Sequence, residues 1–296
     1  MAEPREPAEP GSGQPAAGPD EWERRVAAGL AFLRRRLAGE YEVDEFGFDP
    51  DLAEHVFYPL LRLLYQRWFR TELLGAERLP ETGAGLVVAN HSGTIALDAL
   101  MLAVGIHDAT PARRQLRLLG ADFLFRAPIV SELARKSGGT LACSPDAERL
   151  LRAGELVGVF PEGTKGVGKP YRERYKLQRF GRGGFVSAAL RTGAPIIPVA
   201  IVGAEEIYPK IGDIPPLARL LGLPYFPVTP TFPWLGPLGM IPLPSKWLIE
   251  IGEPVDTTAY AGQADDPLVV FNLADQVRHT IQQALHRLLT VRPNPF

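Results

Sequence analysis

Five short, almost uncharged runs recur along the chain with helix-length segments between them, and this alternation leaves few folds open. Gly85–Ala89, Arg117–Gly120, Leu156–Phe160, Ile196–Val202 and Trp247–Ile251 are rich in Val, Ile and Leu and bounded by polar residues or glycine. Runs of that kind read as strands buried on both faces, as in a parallel sheet covered by helices. Helical segments fall between them: Ala96–Val104, Ala127–Lys136, Ala147–Ala153, Gly184–Arg191, and a long C-terminal helix from about Pro267 to Leu289. Ser144-Pro145-Asp146 makes a good helix start, with a capping hydroxyl, a proline of fixed φ and an acid in the first turn. No internal repeat is present. The expected fold is α/β, a single mixed, mostly parallel sheet flanked by helices, behind an amphipathic helical N-terminal lead.

The lead divides in two. Residues 1–20 are rich in Pro, Gly, Ala and Glu and read as a disordered tail. Residues 21–70 read as two amphipathic helices. The first, Glu21–Leu37, sets Trp22, Val26, Leu30, Leu33 and Leu37 against five arginines (Arg24, Arg25, Arg34, Arg35 and Arg36); the second follows Asp49-Pro50-Asp51 to about Phe69 and is crowded with leucines and aromatics. Two readings of this pair stay open, packing against a core and docking on a membrane surface. Residues 71–296 form the α/β domain, interrupted by a Pro/aromatic insert at 208–245. Within that insert Ile214–Ser245 carries one charge, Arg219, and nine prolines. Proline at that density would break a spanning helix repeatedly, so the expectation is a soluble chain or one that lies on a membrane without crossing it.

Charge and cysteine content exclude several functions. The chain has 32 basic and 34 acidic residues among 296, against the basic balance of a nucleic-acid binder. One cysteine, Cys143, rules out a disulfide framework and a cysteine-rich zinc site, and suits a reducing compartment. The five histidines include no close pair of metal-ligand spacing, so neither a metal nor nucleic acid is expected. The balance is uneven, however. Arg113 to Arg182 holds fifteen Lys/Arg against seven Asp/Glu, which points to a local anion site in the middle of the chain.

Familiar motifs fail there in informative ways. Gly163-Thr164-Lys165-Gly166-Val167-Gly168-Lys169-Pro170 nearly spells a phosphate-binding P-loop, but Pro170 stands where a hydroxyl must hold magnesium. Gly181-Arg182-Gly183-Gly184 lacks the last glycine of a dinucleotide fingerprint. What remains is Asn90-His91 at the end of a buried strand, where α/β sheets bind ligands, with Asp98 the first acid after it. A histidine so placed can act as a general base if a carboxylate fixes its tautomer. On one continuous helix the two residues would lie about 10 Å apart along the axis, so pairing requires Ser92–Ile95 to turn.

The pairing of Asn90-His91…Asp98 with Phe160-Pro161-Glu162-Gly163-Thr164-Lys165 resembles the glycerolipid acyltransferase family, best known for the 1-acylglycerol-3-phosphate acyltransferases. Leu124-Phe125-Arg126-Ala127-Pro128 is similar to a segment between the family's two motifs, Pro195-Ile196-Ile197-Pro198-Val199-Ala200 to its late strand, and Gly252-Glu253-Pro254 to its closing motif. The resemblance runs from roughly Thr71 to Val255. It implies a glycerol-phosphate acyltransferase-like fold and a reaction in which His91 deprotonates an acceptor hydroxyl that attacks the thioester of an acyl-CoA or acyl-carrier protein. Asp98 would orient His91, Glu162, Gly163 and Thr164 would shape the acceptor site, and Lys165 with Arg126 would face a phosphate. No cofactor beyond the thioester co-substrate is implied; the partners are that donor, a lipid acceptor and the inner face of a bacterial membrane.

Three departures keep the acceptor open. Six residues separate His91 from Asp98 where the family commonly has four. Gly138-Gly139-Thr140-Leu141 is followed by Ala142-Cys143-Ser144-Pro145, without the arginine often found there. The insert at 208–245 is absent from minimal members and reads either as a packed irregular lobe or as an apolar ledge for lipid. Besides lysophosphatidate, a diacylglycerol, lysophospholipid or glycolipid acceptor remains, as does a scaffold that binds lipid or carrier protein without turnover.

Overall fold

The computed structural model describes residues 19–126, 128–181 and 183–296, and divides into two units, 1–42 and 43–296. The expected disordered tail falls almost wholly outside the described residues. Among its described residues the first unit contains the helix Pro19–Ala38, with Val26, Leu30, Leu33 and Leu37 exposed along it and the Arg36 guanidinium 4.1 Å over the Tyr41 ring.

The second unit is built on a seven-stranded sheet. In chain order its strands are β1 (Glu72–Leu74), β2 (Gly85–Ala89), β3 (Leu116–Gly120), β4 (Thr140–Leu141), β5 (Leu156–Val159), β6 (Ile196–Val202) and β9 (Leu248–Ile251). The spatial order is β1-β9-β6-β2-β5-β3-β4, every pairing parallel except β6 with β9. The sheet is therefore mixed and mostly parallel. All five expected strands are present to within a residue at each end. The two short edge strands β1 and β4 were not expected, because two or three residues carry no readable alternation. A separate hairpin pairs β7 (Gly212–Asp213) with β8 (Pro227–Val228) inside the insert.

Burial explains the central strands. Every residue of β2 and β6 is buried, and the two faces of the sheet feed two apolar clusters. One forms beneath the helices Ser144–Arg152, Gly184–Thr192 and Pro267–Val291; the other lies under Leu97–Ala109 and contains Phe69 and Trp247, whose rings stack at 4.5 Å. Residues 50–68 form a helix that alternates α and π turns and belongs to this second unit. Pro59 explains the first π turn: it has no N–H for the bond four residues back, and the ladder widens through Ala53–Phe57.

Helix boundaries differ from expectation where capping does. Ser144 lies inside its helix, and Cys143 is the cap residue, with no side-chain capping bond. The helix expected at Ala96–Val104 runs Leu97–Ala109. That expected from Ala127 is described from Pro128, Ala127 itself lying outside the described residues.

Candidate active site

β2 delivers the site. Just past its end Asn90 is fully buried, donating through Nδ2 to the Ile201 carbonyl at 3.0 Å and accepting the Ile201 N–H at 2.7 Å. This amide mimics one more step of the sheet and fixes the point at which the backbone leaves it. His91 follows. Its Nδ1 lies 2.8 Å from Asp98 Oδ2, and its ring packs on Phe160 at 4.6 Å. Among the described residues Nε2 has no hydrogen-bond partner.

The intervening six residues fold back on themselves. Gly93 and Thr94 both take positive φ (92° and 61°), and the Ile95 and Leu97 N–H groups donate to the carbonyls of Gly93 and Ile95. The turn that pairing requires is thus formed, and the long spacing still places the two side chains in contact. Asp98 is fully buried in the first turn of Leu97–Ala109, where the helix N-terminus favours a carboxylate. Besides His91 it accepts the N–H groups of Ser92 (2.8 Å) and Ala99 (2.9 Å). Such a carboxylate is held in one orientation, so it accepts the Nδ1 proton and leaves the Nε2 lone pair free.

Glu162 comes from the end of β5, the neighbour of β2. Its buried carboxylate accepts the His91 N–H at 2.9 Å through Oε1 and the Gln178 N–H at 2.6 Å through Oε2. It therefore fastens the backbone of the histidine. Lys169, also buried, lies 3.6 Å from Glu162 and 3.0 Å from Glu205. Burial pushes the Glu205 carboxyl up to about 7 against the opposing pull of Lys169.

The two motifs touch with no room to spare. A Cβ on Gly166 would meet Glu162 Cβ at 2.7 Å and the His91 carbonyl oxygen at 2.8 Å; one on Gly168 would meet the Tyr225 ring at 2.9 Å. Of the two glycines that nearly spell a P-loop, Gly168 is explained by this close approach and Gly163 by its positive φ of 56°.

Beside this pair a cleft of about 390 Å³ opens between the short helix Thr164–Val167 and the insert, lined by Thr164, Lys165, Lys169 and Lys210 together with Asp213 and Tyr225. Lys165 is exposed at its edge. Arg126 is elsewhere: exposed, 3.9 Å from Asp122 and outside the lining of the cleft. His91, Asp98, Glu162 and Gly163–Thr164 are thus brought together, Lys165 adjoins them, and Arg126 does not.

Three insert residues that sequence reasoning passed over complete the site. The Tyr225 hydroxyl donates to the Thr94 carbonyl, and burial raises that phenol well above its ordinary range. Lys210 lies 4.5 Å over the Tyr225 ring and donates to the Gly168 carbonyl at 2.7 Å. The Tyr208 carbonyl accepts from Thr94 Oγ1 at 3.3 Å. The insert therefore braces both motif loops. A tyrosine among many aromatics carries no signal of this in the sequence.

Comparison with known proteins agrees with this geometry. The acyltransferase family profile matches residues 70–202, the span holding both motifs. An uncharacterised protein of Mycobacterium tuberculosis is 59% identical over 281 residues, covering 95% of this chain and 78% of that protein. The sheep 1-acyl-sn-glycerol-3-phosphate acyltransferase alpha is 27% identical over 154 residues, 51% of each chain. The crystal structure of the 1-acyl-sn-glycerophosphate acyltransferase PlsC from Thermotoga maritima shares the fold, with TM-score 0.53 and 19% identity over 92% of this chain and 99% of that one. Residues 70–202 are an acyltransferase-family domain, and the chain is an enzyme of that class.

Proposed function

We propose that the chain transfers a fatty acyl group from an acyl-CoA or acyl-carrier-protein thioester to a hydroxyl of a glycerolipid such as lysophosphatidate, with His91 as general base. The observation that carries this is the His91 Nδ1–Asp98 contact of 2.8 Å on a fully buried carboxylate, which leaves Nε2 as the basic nitrogen. The acceptor O–H gives its proton to Nε2 as its oxygen attacks the thioester carbonyl. The tetrahedral adduct then expels the thiolate, which takes the proton back from the imidazolium. Every atom is accounted for by these two proton transfers, without a covalent enzyme intermediate.

A phosphorylated acceptor is supported by the lysine-lined cleft, where Lys165 is the exposed cation. Binding at the inner membrane face is part of the proposal: no described helix is long and apolar enough to cross a membrane, so contact with the bilayer would be peripheral.

The test is thiol release from palmitoyl-CoA, and then from palmitoyl-acyl-carrier protein, with lysophosphatidate, a diacylglycerol and a glycolipid as acceptors. Turnover with lysophosphatidate, reduced about 10²–10⁴-fold in His91→Ala, is the expected result. Turnover with a neutral acceptor alone would remove the phosphate assignment, and none with either donor would favour a binding scaffold.

A further inference from the structure

The insert has a second face. Trp234, Leu235, Leu238, Met240 and Ile241 are between 50% and 71% exposed, on a backbone that is firmly held. The residues Gly236–Met240 form a 3₁₀ turn; Thr231 Oγ1 donates to the Gly239 carbonyl at 3.1 Å, and the Tyr208 hydroxyl donates to the Met240 carbonyl at 2.5 Å. A rigid turn that holds five large apolar side chains out in water is the mark of an interaction surface, because such groups are otherwise turned inward. We propose that this rim seats in the boundary between headgroups and acyl chains of an anionic bilayer, and that it does so beside the active site so that the acceptor lipid reaches His91 with its chains still in the membrane.

Three observations select a bilayer as the occupant. First, charge: Ile214–Ser245 contains no carboxylate and one arginine. The helix of residues 50–68 adjoins the rim through the bonds from Trp68 Nε1 to the Pro242 carbonyl (2.9 Å) and from Arg70 to the Pro244 carbonyl (2.8 Å). It adds exposed Arg67, with exposed Arg70 just past its end, beside exposed Leu60 and Leu63. Apolar side chains with cations beside them match an anionic membrane surface. Secondly, composition: an exposed tryptophan among leucines is the interfacial pattern, an amphipathic ring at headgroup depth. Thirdly, position: Tyr208 donates to Met240 and accepts from Thr94, so two hydrogen bonds separate the rim from the loop that carries His91. This last observation rests on the acyl-transfer reading; the first two do not.

The experiment uses the full chain with vesicles of phosphatidylglycerol and phosphatidylcholine, and compares it with the double variant Trp234→Ser, Leu238→Ser after matching their thermal unfolding. The variant is expected to bind vesicles at least about tenfold more weakly. It should lose turnover of vesicle-embedded long-chain lysophosphatidate by a similar factor, and keep turnover of a short-chain, water-soluble lysophosphatidate to within about twofold. Brominated lipids should quench the natural protein's tryptophan emission more than that of Trp234→Phe. Unchanged vesicle binding in the double variant overturns the proposal, as does equal quenching in Trp234→Phe. A concentration-dependent dimer lost in the double variant while vesicle binding persists assigns the rim to a second copy and also overturns it. If the natural protein turns over neither acceptor but its vesicle binding still depends on the rim, the acyl-transfer reading fails and the membrane contact stands.

Discussion

Residues 85–202 and residues 208–245 contribute to one site by opposite means. The first region is strands and the helices between them: β2 and β5 are adjacent parallel strands, so two motifs about seventy residues apart arrive side by side through backbone pairing alone. The second has one pair of two-residue strands, one seven-residue helix and one 3₁₀ turn, and is held mainly by individual side-chain bonds of Tyr208, Lys210, Tyr225, Thr229 and Thr231. The sheet places the candidate catalytic side chains His91 and Asp98, and the insert fixes the loops on which they ride. Errors in the sheet region should therefore abolish turnover, whereas errors in the insert should weaken it.

The largest effect expected short of removing His91 comes from Gly166→Ala. The new methyl must displace either Glu162 or His91 from distances under 3 Å, and a shift of about 1 Å at a reacting group costs about 10²-fold. Steady-state turnover should fall by at least that factor while the secondary structure, followed by circular dichroism, is kept. Tyr225→Phe is the matching cut on the insert side. It removes the donor to the Thr94 carbonyl and keeps the ring under Lys210, and one neutral hydrogen bond is worth about 1 kcal/mol, so kcat should fall about fivefold with little change in KM. An equal loss in the two variants would erase the distinction between the regions.

The smallest expected effect concerns pH and stability. Folding raises the Glu205 carboxyl from about 4.5 to about 7, so the folded state binds more protons than the unfolded chain in that interval. The contribution is fully present below about pH 4.5 and is lost as pH rises through 7. Glu205→Gln should cancel it. The melting temperature of the variant should drop less than that of the natural protein between pH 5 and pH 8, measured by scanning calorimetry. A parallel pair of curves would show that Lys169 keeps Glu205 ionised throughout.

Much of this division was legible in the sequence. Fully buried strands announce themselves as unbroken apolar runs, so β2, β5, β6 and β9 were readable, and with them the strand-end positions of His91 and Glu162. The roles within the site were less so. Glu162 reads as a residue that shapes the acceptor site, yet its two oxygens are spent on the N–H groups of His91 and Gln178. Lys169 reads as part of an anion-binding cluster, yet it is committed to Glu205 and Glu162. Arg126 reads as a phosphate ligand and lies away from the cleft. A charge in a sequence does not reveal whether its partner is a substrate or another side chain; only burial decides that. The insert was opaque because its fold depends on Pro-rich turns and long-range side-chain bonds, which have no period.

In the proposed reaction His91 and Asp98 act as one unit across the turn at Ser92–Ile95. The most direct measurement compares turnover of palmitoyl-CoA and lysophosphatidate in His91→Ala, Asp98→Asn and the double variant. If Asp98 works only through the imidazole, the double variant is no slower than His91→Ala alone, and Asp98→Asn by itself loses about 10²-fold or more. Losses that multiply in the double variant would contradict the claim and give Asp98 a role of its own.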